Sequence, residues 1–437
     1  MSNVLKVGDT VGLRGGQSLT VTEFIGTGKN FFLYRVAVQE KSYLLRWYKS
    51  SYLDSLDVNE LEQLYTEVSD KYRMLENTPK AFILPIDVTS REPEKGSSFG
   101  YILEEIDTGE YIELTDYFLF RTCFASFDAM LRACMNLTQQ MFLYHLSGYV
   151  LRCLDNSNIF IHPESGEVKI AFDDDLFLDG ENKPCIGKAS YSAPELVMGG
   201  TSDRRAMRFT LAIILFRLMM GGQHPLEGVN TEMNDDSYSY GLNAEFIFDP
   251  DAQRNAADPE IHKNAIAMWS QYPEYIHEMF LAFFGKEGIS SPDTRPIESD
   301  MLDALLRLYS ETVECPKCRE ARVLLSSEGE VQCPKCGASL DIPCKIRFLG
   351  TEIPLIPGRT VYRSQFDSSC DNFNSPVFKL LVNKDRTKIG FGNMMKDTPL
   401  VVSYPDGTKS ELAFGEVAEF KPQMTLGVGN FVGQVVK

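Results

Sequence analysis

Cysteine spacing carries the most definite chemistry in this chain. Cys315-Pro-Lys-Cys318 and Cys333-Pro-Lys-Cys336-Gly form two Cys-x-x-Cys knuckles separated by the 14 residues 319–332. Four thiolates from two such knuckles converge on a tetrahedral ion and leave it no open position, the ligand pattern of structural rather than catalytic zinc. A redox dithiol is the competing chemistry, and two matched knuckles weigh against it. The other six of the ten cysteines lack such spacing and read as ordinary buried or half-buried thiols. Glu314, Lys317, Arg319 and Lys335 beside the knuckles read as solvated charges. Past residue 308 the composition turns to Cys, Gly, Pro and alternating β-branched residues, and strands are predicted over 345–349, 378–382, 400–404 and 417–420.

A second group of residues has the types needed to handle phosphate. Gly26-Thr27-Gly28 can offer backbone amides to an anion, or can be no more than a tight hairpin turn. Arg46 presents a planar fork that suits a carboxylate as well as a phosphate, and Glu62 or Glu67 is a carboxylate within its reach. Asp173, Asp174 and Asp175 can bind magnesium together with Asn158, or can form a solvated acidic turn.

The elements that must position these groups follow from periodicity. Extended runs at 19–25, 31–38 and 43–48 start a five-stranded sheet. Val58, Leu61, Leu64, Tyr65 and Val68 mark a helix within 58–75, and 82–88 and 99–106 return to strand. Helical patterns follow at 127–147, stopped by Gly148, and at 209–220 and 275–284. Residues 228–263, rich in Asn, Asp and Ser, read as a long surface insertion whose patch Phe246-Ile247-Phe248 docks on the helices. A small β lobe thus precedes a large α lobe in an α+β chain of 437 residues, long enough for two or three cores.

In this order the segments resemble a protein kinase. Ile25-Gly26-Thr27-Gly28 with Tyr34-Arg35-Val36 is similar to the glycine-rich loop, Tyr43-Leu44-Leu45-Arg46 to the strand bearing the nucleotide-binding lysine, and Arg152 to Asn158 to the catalytic loop. Glu167-Val168-Lys169-Ile170 resembles the strand entering Asp-Phe-Gly, and Ser192-Ala193-Pro194-Glu195 the end of the activation segment. Leu45-Arg46-Trp47-Tyr48, His224-Pro225-Leu226-Glu227-Gly228, Phe246-Ile247-Phe248-Asp249-Pro250 and 264–269 resemble a bacterial kinase-like family with a C-terminal zinc ribbon. That resemblance implies a bilobal kinase-like domain over 1–312, a four-cysteine zinc ribbon over 313–345 and a β-sandwich over 346–437.

The departures fall on the chemistry. The third glycine position of the loop holds Phe31, whose ring fills the space a phosphate needs. Arg46 stands for the lysine, and Cys153 replaces the aspartate that accepts the substrate proton, a group worth on the order of 10² to 10⁴ in rate. A gapless alignment puts Phe172 in place of the magnesium-binding aspartate, while a one-residue slip puts Asp173 there. Met207 stands where an aspartate braces the catalytic loop. Gly26, Gly28, Asn158 and Asp174 are what remains for nucleotide and magnesium, and the expectation is that neither binds. Glu195 and Arg295, by contrast, match the pair that ties the activation segment to the α lobe.

The tail from 348 resembles a forkhead-associated β-sandwich through Leu355-Ile-Pro-Gly358, Val361-Tyr362, Gly392-Asn393 and Pro405-Asp406-Gly407. Arg363-Ser364 and Arg386-Thr387 are its candidate phosphothreonine readers. A net charge of −18, from 43 basic and 61 acidic residues, disfavours nucleic acid. The longest apolar stretch, 211–220, is broken by Arg217, so no membrane span is expected, and the N-terminus lacks a basic and apolar leader, which predicts a cytoplasmic protein. The expected function is a pseudokinase acting as a regulatory scaffold. The resemblance implies von Willebrand A-type proteins and metal-dependent protein phosphatases as partners. The alternatives are a residual phosphotransferase using Asn158, the Asp173 to Asp175 cluster and Cys153 or Asp155, and a phosphopeptide reader on an inert core.

Overall fold

The computed structural model describes the chain except residues 1–3, 29, 67, 69–80, 91–97, 152–153, 172–175, 182–186, 232–234, 253, 316, 319–322, 325–330, 334, 341, 343, 350, 371–374, 386–387 and 437. Its N-terminal part is an antiparallel sheet in the order Thr10–Gly12, Ser18–Thr27, Phe31–Val38, Lys41–Tyr48, Gly100–Glu104, Asp87–Val88. The sheet has six strands rather than the five the sequence suggests, because short Thr10–Gly12 adds itself to the edge at Ser18–Gly12 register. Alternation sends Tyr34, Val36 and Val38 to one face, where they join Leu19, Val21, Leu45 and Trp47. The opposite face buries Tyr48, Phe99, Tyr101 and Leu103 against Leu61 of the Val58–Thr66 helix. Gly100 is required where these strands meet: a Cβ there would stand 2.2 Å from the Arg46 carbonyl.

The helical part surrounds Arg204–Met219, which is buried on nearly every side from Ala206 onward, as expected of a helix that is apolar all round. Asp203 caps it by accepting from the Ala206 amide at 2.9 Å. Phe127–Leu146, capped by Ser126, and Glu274–Phe284 pack against it. Residues 228–263 seat the apolar patch Phe246-Ile247-Phe248 on the helices, as its composition leads one to expect. Phe246 and Ile247 are buried in the main core, Phe246 packs edge-on against Phe216, and Phe248 stacks on Trp269 at 4.8 Å. Burial of these large side chains outweighs the polar bias of their neighbours.

Beneath this core His145 Nδ1 donates to Glu298 Oε1 at 2.5 Å and Arg208 Nε donates to the same oxygen at 3.0 Å. Burial alone would raise the Glu298 carboxyl, but the bond and charge of His145, followed by those of Arg208, outweigh it and hold it at about 2. A carboxyl depressed from 4.5 to about 2 stabilises the fold at pH above its unfolded value and loses that contribution as pH falls through the folded one. About 3 kcal/mol is therefore expected to disappear between roughly pH 5 and pH 2. Urea midpoints measured across that range check it, since Glu298→Gln should flatten the part of the profile due to this group.

Two sheets form the C-terminal part. One runs Thr351–Leu355, Cys344–Phe348, Phe431–Val436, Thr425–Val428, Leu400–Ser403, Lys409–Leu412; the other Thr360–Tyr362, Pro376–Val382, Ile389–Asn393, Val417–Glu419. Ile346, Phe348, Val402, Leu426 and Val435 from the first share one core with Phe378, Leu380 and Phe391 from the second. This part is seated on the helices. The Arg359 guanidinium, largely buried, donates to the carbonyls of Tyr309 and Thr312 at the end of helix Glu298–Glu311 and lies 3.4 Å from Asp128. Arg132 bonds the Tyr362 hydroxyl at 3.0 Å, and Gln365 the Ser310 hydroxyl at 3.2 Å.

Candidate functional site

The four cysteines come together where the helical part gives way to strands. Thr312–Val313 pairs with Val323–Leu324 and delivers Cys315, and Val331–Gln332 pairs with Ser339–Leu340 and delivers Cys333. The second knuckle closes through Gly337, at φ +66°, whose amide donates to the Cys333 carbonyl at 2.8 Å. All four sulfurs lie within 4.8 Å of one another, with Cys315 to Cys336 at 3.7 Å and Cys318 to Cys333 at 3.5 Å. A tetrahedron of sulfurs about 2.3 Å from a zinc ion has edges of about 3.8 Å, so the cysteines fit that ion. Amides help: the Cys318 and Lys317 backbones, against burial, draw the Cys315 thiol down to about 7, toward the thiolate a metal needs. Among the described residues its apolar support is Val313 and Cys315 with Cys333, flanked by Ala338, Leu340, Ile342 and Ile356, and a closed tetrahedral ion would add order to them.

The glycine turn is closed by its own neighbours. The Gly28 amide donates to the Phe31 carbonyl at 2.9 Å, and the Phe31 ring lies so close that a Cβ on Gly28 would meet its Cζ at 2.7 Å. Arg46, on strand Lys41–Tyr48, stacks its guanidinium on that ring at 4.6 Å and donates to the Tyr101 hydroxyl at 3.2 Å. Lys49 donates to the Gly28 carbonyl at 2.5 Å, an engagement sequence reasoning missed. Phe31 therefore sits between Gly28 and Arg46; Gly26 is paired with Leu33 inside strand Ser18–Thr27, and Gly28 lies in the connection to Phe31–Val38.

Asn158 serves its own loop, its Oδ1 accepting from the Asp155 amide at 2.9 Å. Asp155, the acceptor-side candidate of the phosphotransferase alternative, meets Lys188 at 2.8 Å and accepts from Ser157. Burial pushes the Asp155 carboxyl up, but Lys188 and Ser157 more than offset it and hold it below the usual carboxylate range. Glu195 and Arg295 come together as an opposed fork at 2.7 and 2.8 Å, with the Arg295 side chain wholly buried. Met207 is packed in the helical core. Cys153, Phe172, Asp173, Asp174 and Asp175 lie outside the described residues, as do Glu67, Arg386 and Thr387. In the tail, Arg363 pairs with Asp367 at 2.7 Å and Ser364 is buried.

Among the described residues no helix is long and apolar enough to cross a membrane. Compared with models of protein families and with curated proteins, the sequence matches none.

Proposed function

We propose that this chain is a catalytically impaired, protein-kinase-like protein, a pseudokinase acting as a cytoplasmic regulatory scaffold, with structural zinc held by Cys315, Cys318, Cys333 and Cys336. One observation carries the reading: the Phe31 ring lies against Gly28 and under the Arg46 guanidinium, where the γ-phosphate cradle of an active kinase needs open backbone. The β-rich part followed by helices around Arg204–Met219 supports a bilobal arrangement. The fork between Glu195 and Arg295 supports it further, because the resemblance implies that pair and residues 100 apart in sequence make it.

Titration with ATP and magnesium, followed by melting, tests the reading. A ligand at 100 times its dissociation constant stabilises by about 2.7 kcal/mol, a shift of several degrees. No shift is expected for the protein as it stands. A robust magnesium-dependent shift would overturn the proposal in favour of a residual phosphotransferase. For the scaffold role, von Willebrand A-type proteins and metal-dependent phosphatases are the partner classes to seek by co-purification from the native cell.

A further inference from the structure

The four clustered cysteines differ in what can reach them. Cys315 and Cys333 are buried, whereas Cys318 and Cys336 keep part of their surface in solvent. Each of the two accessible sulfurs stands against a buried one from the other knuckle: Cys318 is 3.5 Å from Cys333, and Cys336 is 3.7 Å from Cys315. Binding to zinc requires these groups as thiolates, which is also the form that attacks an oxidant. The same cluster touches the joint between the helices and the C-terminal sandwich. Ile356 packs against the core formed by Val313, Cys315 and Cys333, and its carbonyl accepts from the Arg359 amide at 3.0 Å. The Arg359 side chain in turn donates to the Thr312 carbonyl, one residue before Val313. One turn therefore rests on the cysteines at its start and on the helix end through Arg359.

We propose that the cluster is also an oxidation site for peroxides, a reversible switch that loosens the seat of the sandwich on the helices. Such a switch presupposes the structural zinc proposed above. The Cys318 sulfur attacks one peroxide oxygen, the O–O bond breaks, and the departing hydroxide takes up a proton as water, leaving a sulfenic acid. The Cys333 thiolate then attacks that sulfur; the S–S bond forms, the S–O bond breaks, and the second oxygen leaves as water once protonated. Two sulfurs have lost two electrons, and one peroxide has gained them. Cys336 and Cys315 repeat the sequence with a second peroxide. Disulfide sulfurs are not the thiolates that zinc requires, so the ion is lost. Both links run between knuckles because each accessible sulfur contacts a buried partner in the other one. Ile356 then loses the ordered surface it packs on, and the turn that aims Arg359 at Thr312 loosens with it.

Hydrogen peroxide added to the zinc-loaded, full-length protein tests this. Released zinc is read with a colorimetric chelator, and disulfides are mapped by mass spectrometry of an unreduced digest. One zinc ion per chain is expected to leave, with links from Cys318 to Cys333 and from Cys315 to Cys336. Amide exchange over 309–313 and 356–362 should quicken, and a dithiol reductant with added zinc should reverse every change. Zinc retained under peroxide that oxidises Cys123, an exposed thiol of the helical part, would overturn the proposal and leave structural zinc standing. So would links within a knuckle, from Cys315 to Cys318 or from Cys333 to Cys336, or zinc loss with exchange over 356–362 unchanged. A protein that binds no zinc before oxidation would overturn the switch and the structural ion together.

Discussion

Replacing Cys333 with serine is expected to abolish binding of one zinc ion per chain and to open residues 313–345 to protease. The four sulfurs lie within 4.8 Å of one another and would form one shell around an ion, so losing one thiolate would remove the closed tetrahedral set and not a quarter of the affinity. Structural zinc contributes about 10 to 16 kcal/mol in isolated modules, far more than Val313, Leu340 and Ile342 can supply here. A strong chelator should reproduce the effect in the unaltered protein. Metal analysis and limited proteolysis check it together, and a Cys333→Ser protein with full zinc content and intact 313–345 would refute a structural ion.

Arg295→Ala is expected to cost about 3 to 5 kcal/mol, or roughly 4 °C in the melting temperature of a cooperatively unfolding chain of this length. The guanidinium grips both Glu195 oxygens, donates to the Gly288 carbonyl at 2.8 Å and stacks on Phe209 at 4.7 Å, so the alanine protein loses four contacts at once. Glu195 keeps a quarter of its side chain in solvent and can hydrate when abandoned, which makes Glu195→Gln the milder change. A double-mutant cycle isolates the pair. Melting that is unchanged in Arg295→Ala would show that the fork contributes nothing to stability.

What could be read in the sequence was local or fixed by residue type. Cys-x-x-Cys spacing confines its thiolates to a turn, so the cluster needed no knowledge of the path between knuckles. Phe31 announced itself by bulk at the position where the kinase resemblance expects glycine. Hidden features depend on chain paths: Lys49 reaching Gly28, Lys188 reaching Asp155, and His145 and Arg208 converging on Glu298 join segments whose approach no spacing encodes. Strand Thr351–Leu355 was missed because Pro354 argues against a strand, yet this one lies at the sheet edge, where a missing amide is tolerated. Lys409–Leu412, at the other edge, is disguised by its charges, and Ile389–Asn393 by two glycines.

Arg359 has a consequence for how the molecule comes apart. Helix Glu298–Glu311 ends with carbonyls that need donors, and the donor arrives from a residue beyond the zinc module. A fragment ending at residue 345 would bare the Tyr309 and Thr312 carbonyls and strip Asp128 of its cation, so the helices would not survive excision at full strength. The metal module lies in sequence between the two surfaces that Arg359 joins, and its own order limits how far they can separate. Heating should therefore produce one cooperative transition that moves down as a whole when zinc is withdrawn, in place of three independent melts.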